Sequence, residues 1–157
     1  MPAGRTGGDF SPIIQLPPIS NVSRVAIVGD IDITSDTKKV INKMKQSAQL
    51  LFLNGDFSYS EDEQDTRKWF SKLFGDYSGR LLGSVGNHDL GLSEIYQNLF
   101  NQNEWTYSID IGNVHFLVLN TQRWKPGEVT NKNEIILDLE QSIQRGMRFL
   151  VVLQHVP

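Results

Sequence analysis

The chain has 157 residues, 39% of them hydrophobic, which is enough for one domain with an ordinary buried core. Its formal net charge of −3 argues against the basic face that nucleic-acid binding requires, and it lacks an apolar run of the roughly 20 residues that span a bilayer. It has no cysteine, which excludes disulfides, thiolate metal sites and cysteine nucleophiles.

The first 20 residues differ in composition from the rest of the chain. Residues 1–20 contain four of the six prolines and a Gly-Gly pair, which predicts an extended, poorly ordered arm. Residues 21–157 form the predicted domain. The N-terminus lacks the apolar core of a secretory signal, so the cytoplasm is the default expectation for location.

From Arg24 onward, strand-like apolar runs alternate with segments that have helical spacing. The predicted strands are Val25–Val28, Leu50–Leu53 and Leu81–Val85. Ser35 is the expected cap of the first helix, and an acidic segment, residues 61–63, opens the second. The apolar stripes of the three helices are Val40, Ile41, Met44 and Ala48; Trp69, Phe70, Leu73 and Phe74; and Leu92, Ile95, Tyr96 and Leu99. This order predicts parallel strands joined by right-handed crossovers.

The pattern changes after about residue 104. Apolar residues at every second position from Trp105 to Ile111 predict a half-exposed strand, and Gly112-Asn113 predicts a hairpin turn into a strand over Val114–Leu119. A helix that ends at Gly146 and a strand over Arg148–Leu153 follow. The helix is expected to bury Ile135, Ile136, Leu139 and Ile143. The predicted fold class is therefore α/β, a mixed sheet flanked by helices.

Polar residues follow four of the predicted strands. In parallel α/β sheets such positions converge on one edge. They are Asp30, Asp56 with Tyr59, Asn87-His88-Asp89, and His155. Taken singly, the aspartates also suit turns, Tyr59 could pack its ring in a loop, and His155 could be a structural histidine. Together they offer the carboxylate, amide, phenolate and imidazole groups that bind metals in the absence of thiolates.

Four segments of the chain resemble sequence motifs of a known family: three that follow predicted strands, and the predicted hairpin. Gly55-Asp56-Phe57-Ser58-Tyr59 is similar to G-D-x-x-Y, Gly86-Asn87-His88-Asp89 to G-N-H-[DE], and Val152-Leu153-Gln154-His155 to V-x-x-H. The hairpin segment from Tyr107 to Thr121 also has a counterpart. The chain over residues 24–157 thus resembles the calcineurin-like metallophosphoesterases, and most closely the purple acid phosphatases.

This resemblance implies a two-metal site that hydrolyses phosphate esters through a metal-activated hydroxide. Asp30, Asp56 and Tyr59 would bind one ion, and Asp56, Asn87 and His155 the other, from a pair of Fe, Mn or Zn ions. His88 would face the phosphate and the leaving group, and Asp89 would orient the His88 imidazole. The expected partner is a small phosphate-ester substrate, with neither a nucleic acid nor a membrane.

The chain departs from the family pattern at two places. Asp32 stands where the broader family has a ligand histidine. It could be an extra carboxylate ligand, but we favour the interpretation that it points toward water, because Tyr59 fills that role. The last family motif, G-H-x-H, has no counterpart, so we expect the chain to be a fragment. The alternative function is a non-catalytic phosphoesterase fold that serves as a binding or assembly module. His115 is predicted to pair with Asp110 across the hairpin and is excluded from the site.

Overall fold

The computed structural model describes residues 13–60, 62–75, 80–100, 104–123, 129 and 131–156. Over these residues, seven strands form two β-sheets that lie face to face, and four α-helices pack on their outer sides. In chain order the elements are β1 (Ile14–Gln15), β2 (Val25–Val28), α1 (Ser35–Ser47), β3 (Leu50–Asn54), α2 (Glu63–Phe74), β4 (Leu81–Ser84), a 3₁₀ helix (Asn87–Leu92), α3 (Ser93–Phe100), β5 (Tyr107–Ile111), β6 (Val114–Val118), a 3₁₀ helix (Thr121–Arg123), α4 (Lys132–Gln144) and β7 (Phe149–Leu153). These elements confirm the predicted α/β class.

The first sheet is parallel and has the order β2-β3-β4, as the alternation of strands and helices predicted. The second sheet has the order β1-β5-β6-β7. Within it β5 and β6 form an antiparallel hairpin whose turn is Gly112-Asn113, while β1 and β7 pair in parallel with their neighbours. Gly112 has a φ of 61°, a left-handed conformation that glycine adopts without steric cost.

The central strand β3 is buried on both faces. Phe52 points into the space between the sheets, where its ring stacks on Phe116 of β6 at a centroid distance of 6.3 Å. Leu51 and Leu53 point the other way, into a core that α1, α2 and α3 cover. Burial on both faces explains why β3 is a continuous apolar run rather than an alternating one.

The N-terminal segment has more structure than the sequence predicted. An extended, poorly ordered arm was expected, but Ile14–Gln15 pair in parallel with β5, and the Leu16 N–H donates to the Ser108 carbonyl at 2.8 Å. Ile19 forms a further bridge with Ile111. Ile14–Gln15 and Ile19 therefore extend the second sheet, and residues 1–12 lie outside the described part of the chain.

Two helices that pack on the first sheet have N-terminal capping residues, whose side chains accept hydrogen bonds from backbone N–H groups of the first turn. Thr34, rather than the predicted Ser35, caps α1 by accepting from the Thr37 N–H at 3.1 Å. Asp62 caps α2 by accepting from the Asp65 N–H at 2.8 Å. Val40, predicted to be buried, is exposed on α1. None of the helices in the described ranges has the length and apolar character needed to cross a membrane.

Two predicted patterns of burial in the second half of the chain, one wholly and one in part, are wrong for the same reason. The polar residues of β5, including Ser108, are buried because α4 packs over them. The helix presents Asp138 to that face, where the carboxylate accepts a hydrogen bond from Ser108 at 2.7 Å. The expected apolar stripe is therefore buried only in part: Ile135 and Leu139 are half-buried, whereas Ile136 and Ile143 are 44% and 71% exposed. A buried polar network has determined the orientation of α4.

Candidate metal centre

Three of the predicted ligands converge where β2, β3 and β7 end. Asp30, Asp56 and His155 each lie two residues beyond their strand. Each offers one potential ligand atom, and all three atoms lie within 4.8 Å of one another. Because β2 and β3 belong to the first sheet and β7 to the second, the cluster bridges the rim of the sandwich.

The two aspartates occupy an unusual backbone conformation. Asp30 has a φ of 54° and Asp56 a φ of 51°, in the left-handed region that residues other than glycine rarely adopt. Two backbone hydrogen bonds hold the turns together, from the Asp30 N–H to the Gly55 carbonyl at 3.0 Å and from the Ile31 N–H to the Asp56 carbonyl at 2.9 Å. Strain of this kind persists where the surroundings fix it and is frequent at functional sites.

Asp56 is buried and lies at the centre of the cluster. Its Oδ1 accepts a hydrogen bond from the His88 N–H at 3.0 Å, and its Oδ2 lies 3.4 Å from Nε2 of His155. Nδ1 of His155 faces the Asn54 carbonyl oxygen at 2.8 Å, so Nδ1 must carry the hydrogen. In the neutral ring, Nε2 then presents a lone pair to the Asp56 carboxylate. This contact is favourable only with a cation or a proton between the two atoms.

Tyr59 lies beside the cluster with its ring 45% exposed. Its hydroxyl is 3.4 Å from Oδ1 of Asp30. Desolvation, followed by the negative charges of Asp56 and Asp30, raises the pKa of the Tyr59 phenol in the metal-free chain. A bound cation would oppose this rise, because it would stabilise the phenolate. The phenol is thus positioned to bind a cation together with Asp30.

Asn87 and His88 open the 3₁₀ helix that follows β4, and both are exposed. The His88 main chain is attached to the cluster through its hydrogen bond to Asp56. Its imidazole packs on the Tyr59 ring, with 4.6 Å between the ring centroids. The imidazole therefore lies at the open side of the cluster. The role of Asn87 as a ligand stays a prediction.

Asp89 has different partners from those expected. Its buried carboxylate accepts three backbone hydrogen bonds, from the N–H groups of Gly86 at 2.7 Å, Asp56 at 2.8 Å and Phe57 at 2.9 Å. Burial raises the pKa of Asp89 to about 6, although the backbone hydrogen bonds act in the opposite direction. Asp89 thus ties the β3 and β4 turns together, where the sequence had suggested that it orients the His88 imidazole.

Asp32 and Asn54 lie close in sequence to the predicted ligands Asp30 and Asp56. Oδ1 of Asp32 accepts from the Ile33 N–H at 2.7 Å, a local bond that stabilises the turn. Asn54 was not among the predicted site residues, yet its carbonyl orients His155. Its signal was present: it is a polar residue at the end of an apolar strand, directly before Gly55-Asp56.

A family model for the calcineurin-like phosphoesterases matches residues 23–157. The chain belongs to this family. No curated protein matches it significantly. Calcineurin-like phosphoesterases bind metal ions and hydrolyse phosphoesters, and the cluster of Asp30, Asp56 and His155 is a donor set suited to such ions. The contact between Nε2 of His155 and the Asp56 carboxylate, which needs a cation or a proton between the two atoms, is a second feature that fits a cation.

Gly86 allows the turns that follow β3 and β4 to approach each other. A Cβ atom at Gly86 would overlap both the carboxylate and the backbone nitrogen of Asp56. We expect Gly86→Ala to displace Asp56, to destabilise the chain by about 1–3 kcal/mol and to weaken Mn²⁺ binding. Urea unfolding and a Mn²⁺ titration measure the two effects.

The matched control for this substitution is Gly91→Ala. A Cβ atom at Gly91, in the same 3₁₀ helix as His88, would meet no other atom within 4 Å. Its effect on stability should stay within about 0.5 kcal/mol. If Gly86→Ala has the same stability to urea and the same Mn²⁺ affinity as Gly91→Ala, the close approach at Gly86 is not important for the site.

Proposed function

We propose that the chain hydrolyses small phosphate esters with two metal ions bound at the rim of the sandwich. The observation that supports this most strongly is the convergence of Asp30, Asp56 and His155, whose potential ligand atoms lie within 4.8 Å of one another. Membership of the calcineurin-like phosphoesterases supports the reaction class. When bound, a pair of ions supplies an activated water and neutralises charge on the oxygens of the phosphoryl group.

Each protein group has one role in this proposal. Asp30 and Tyr59 would hold the first ion, Asn87 and His155 would hold the second, and the buried Asp56 carboxylate would contribute to both. Fe, Mn or Zn fits a donor set of carboxylate, phenolate, amide and imidazole, and the phenolate favours ferric iron at the first position. This ligand arrangement is the one that the likeness to purple acid phosphatases implies.

His88 is the proposed catalytic acid. Its exposed imidazole lies against the Tyr59 ring at the open side of the cluster, where it could reach a bound ester. There it can donate a proton to the leaving oxygen or stabilise negative charge on the phosphoryl group. His88 needs no covalent bond to the substrate, because water is the nucleophile.

The test combines metal content with hydrolysis. Purified chain incubated with Mn²⁺, Fe or Zn²⁺ should retain close to two ions after dialysis, and it should hydrolyse p-nitrophenyl phosphate or bis(p-nitrophenyl) phosphate. A chelator should abolish this hydrolysis. The relative rates on the two substrates distinguish monoesterase from diesterase activity. Metal-loaded chain without hydrolysis of either compound would contradict the catalytic proposal.

Asp56→Asn is the most informative variant for this function. The asparagine oxygen can still accept from the His88 N–H, so the fold should be kept, but the charge between the two metal positions is lost. We expect kcat to fall by about 100-fold or more. Asn87→Ala, at an exposed position, should also abolish turnover while the circular dichroism spectrum is unchanged.

Asp36→Asn is the control, since Asp36 is an exposed residue of α1 paired only with Lys39 among the contacts described. It should leave kcat unchanged. Full activity in Asp56→Asn or in Asn87→Ala would remove that residue from the ligand set.

The alternative is a non-catalytic module that binds a partner through this fold. The exposed apolar side chains Phe149, Leu150 and Val152 of β7 favour it. The same metal analysis decides between the two functions. A chain that retains no metal and dimerises in sedimentation experiments would support the module.

A further inference from the structure

Asn54 connects three strands at the rim where the metal ligands lie. Its side-chain Oδ1 accepts a hydrogen bond from the Ser84 hydroxyl of β4 at 2.8 Å. Its Nδ2 donates to the carbonyl of Gln154, just beyond β7, at 3.1 Å. Its own carbonyl accepts from Nδ1 of His155 at 2.8 Å. One residue thus holds both His155 and the residue before it.

The position of His155 relative to Asp56 needs such a connection. Asp56 follows β3 in the first sheet, whereas His155 follows β7 in the second. The two strands share no ladder of backbone hydrogen bonds, so pairing within a sheet does not fix the distance between the two side chains. The hydrogen bonds of Asn54 cross from one sheet to the other at the point where this distance is set.

The His155 ring also lies in a closely fitted space. A Cβ atom at Gly55, whose φ is 77°, would come within 2.5 Å of Cγ and Nδ1 of the ring. The imidazole therefore packs directly on the Gly55 backbone while Nδ1 donates to the Asn54 carbonyl. This leaves Nε2 facing Asp56 at 3.4 Å, the orientation in which it can bind a metal.

Ser84 supports the orientation of the Asn54 side-chain amide. If the Asn54 amide were reversed, its oxygen would face the Gln154 carbonyl, and two acceptors would oppose each other. In the observed orientation the Gln154 carbonyl accepts from the amide nitrogen and the Ser84 hydroxyl donates to the amide oxygen, so both ends of the amide have partners.

We propose that Asn54 is a positioning residue that holds His155 as an Nε2 ligand by fastening Gln154 to β3. This inference rests on the proposed function, in which His155 binds a metal. Without the amide, the end of β7 loses its link to β3, and the ring can change its tautomer and move away from Asp56. Ser84 supports the same link, so its loss should have a smaller effect in the same direction.

The test uses three variants of equal charge: Asn54→Ala, Ser84→Ala and the control Asn42→Ala, at an exposed position of α1. In the metal-free chain, long-range ¹⁵N–¹H NMR spectra report the tautomer of the neutral His155 ring. The unaltered chain and the control should show the Nδ1–H form, and Asn54→Ala a mixture containing Nε2–H. Mn²⁺ affinity should fall about 10–100-fold in Asn54→Ala.

The two readouts separate the inference from the proposed function. If the unaltered chain binds no Mn²⁺, the proposed function fails, but the tautomer still tests the link. If Asn54→Ala does not fold, Ser84→Ala carries the test with the same readouts. Unchanged tautomer and unchanged Mn²⁺ affinity in the folded variants would overturn the inference.

Discussion

Asp89→Ala should destabilise the chain by about 3 kcal/mol, more than any substitution at the exposed residues of the site. The Asp89 carboxylate accepts hydrogen bonds from three backbone N–H groups, those of Gly86, Asp56 and Phe57. Alanine leaves all three donors without their acceptor in a buried turn. The loss is partly offset because a buried charge is also removed, and burial of that charge is what raises the pKa of Asp89 to about 6.

The same substitution should weaken metal binding. Two of the three donors belong to the turn that holds Asp56 in its left-handed conformation, at a φ of 51°. When this support is lost, the turn can relax to a more ordinary conformation and carry the Asp56 carboxylate away from His155. Asp89 therefore contributes to the site through the backbone of Asp56.

Urea unfolding monitored by tryptophan fluorescence measures the stability, and a Mn²⁺ titration measures the affinity. Asp36→Ala is the matched control, since it removes a surface carboxylate paired with Lys39 and should cost less than about 1 kcal/mol. Asp89→Asn adds a second test, because its single oxygen cannot serve all three donors and its NH₂ group would face at least one N–H. If both Asp89 variants were as stable as the control, the three hydrogen bonds would not be important for folding.

The parts of the fold that depend on local sequence could be predicted. The strand Val25–Val28 was predicted with the bounds that the structure shows, and β3 differs only by the addition of Asn54. A strand buried on both faces is a continuous apolar run, and the Gly-Asp turn that follows is equally local. For this reason the edge at which Asp30 and Asp56 lie could be located from the sequence alone.

The relations that depend on distant residues could not be predicted. Asp89 accepts from Asp56, which is 33 residues earlier, so its support of that turn has no local signal. The Asn54 amide reaches the Gln154 carbonyl across 100 residues. The predicted orientation of α4 was wrong for the same reason. The spacing of apolar residues favoured burial of the face that carries Ile143, but Asp138 is buried instead, because its partners lie on β5 and β6.

The buried histidine of the second sheet should have the largest effect on stability. His115 lies between two carboxylates, with Nδ1 at 2.6 Å from Oδ1 of Asp110 and Nε2 at 2.8 Å from Oδ2 of Asp138. Both nitrogens face acceptors, so both must donate, and the ring is an imidazolium that joins α4 to the hairpin. Asp110 has a second cation, Arg145, whose Nε lies at 2.7 Å.

His115→Leu should destabilise the chain by about 3–5 kcal/mol, because it leaves the Asp138 carboxylate buried without a cation. Asp138→Asn in the same chain should recover part of this loss, since the new amide is neutral and its oxygen could still accept from Ser108. Urea unfolding of the two single variants and the double variant gives the coupling energy. If the effects of the two substitutions simply add, the imidazolium and Asp138 do not act as a pair.

The pH dependence tests the other half of the network. Although burial acts to raise it, the pKa of Asp110 is lowered because Arg145 and His115 donate hydrogen bonds to the carboxylate and attract its charge. A lowered pKa means that the stabilisation is complete above the pKa of the unfolded carboxyl, about 3.9, and is lost as the pH falls through the folded value. The stability advantage of the unaltered chain over Asp110→Asn should therefore be present at about pH 5 and shrink below about pH 4. An advantage that persists or grows in acid would show that the Asp110 charge is not what holds β5 to Arg145 and His115.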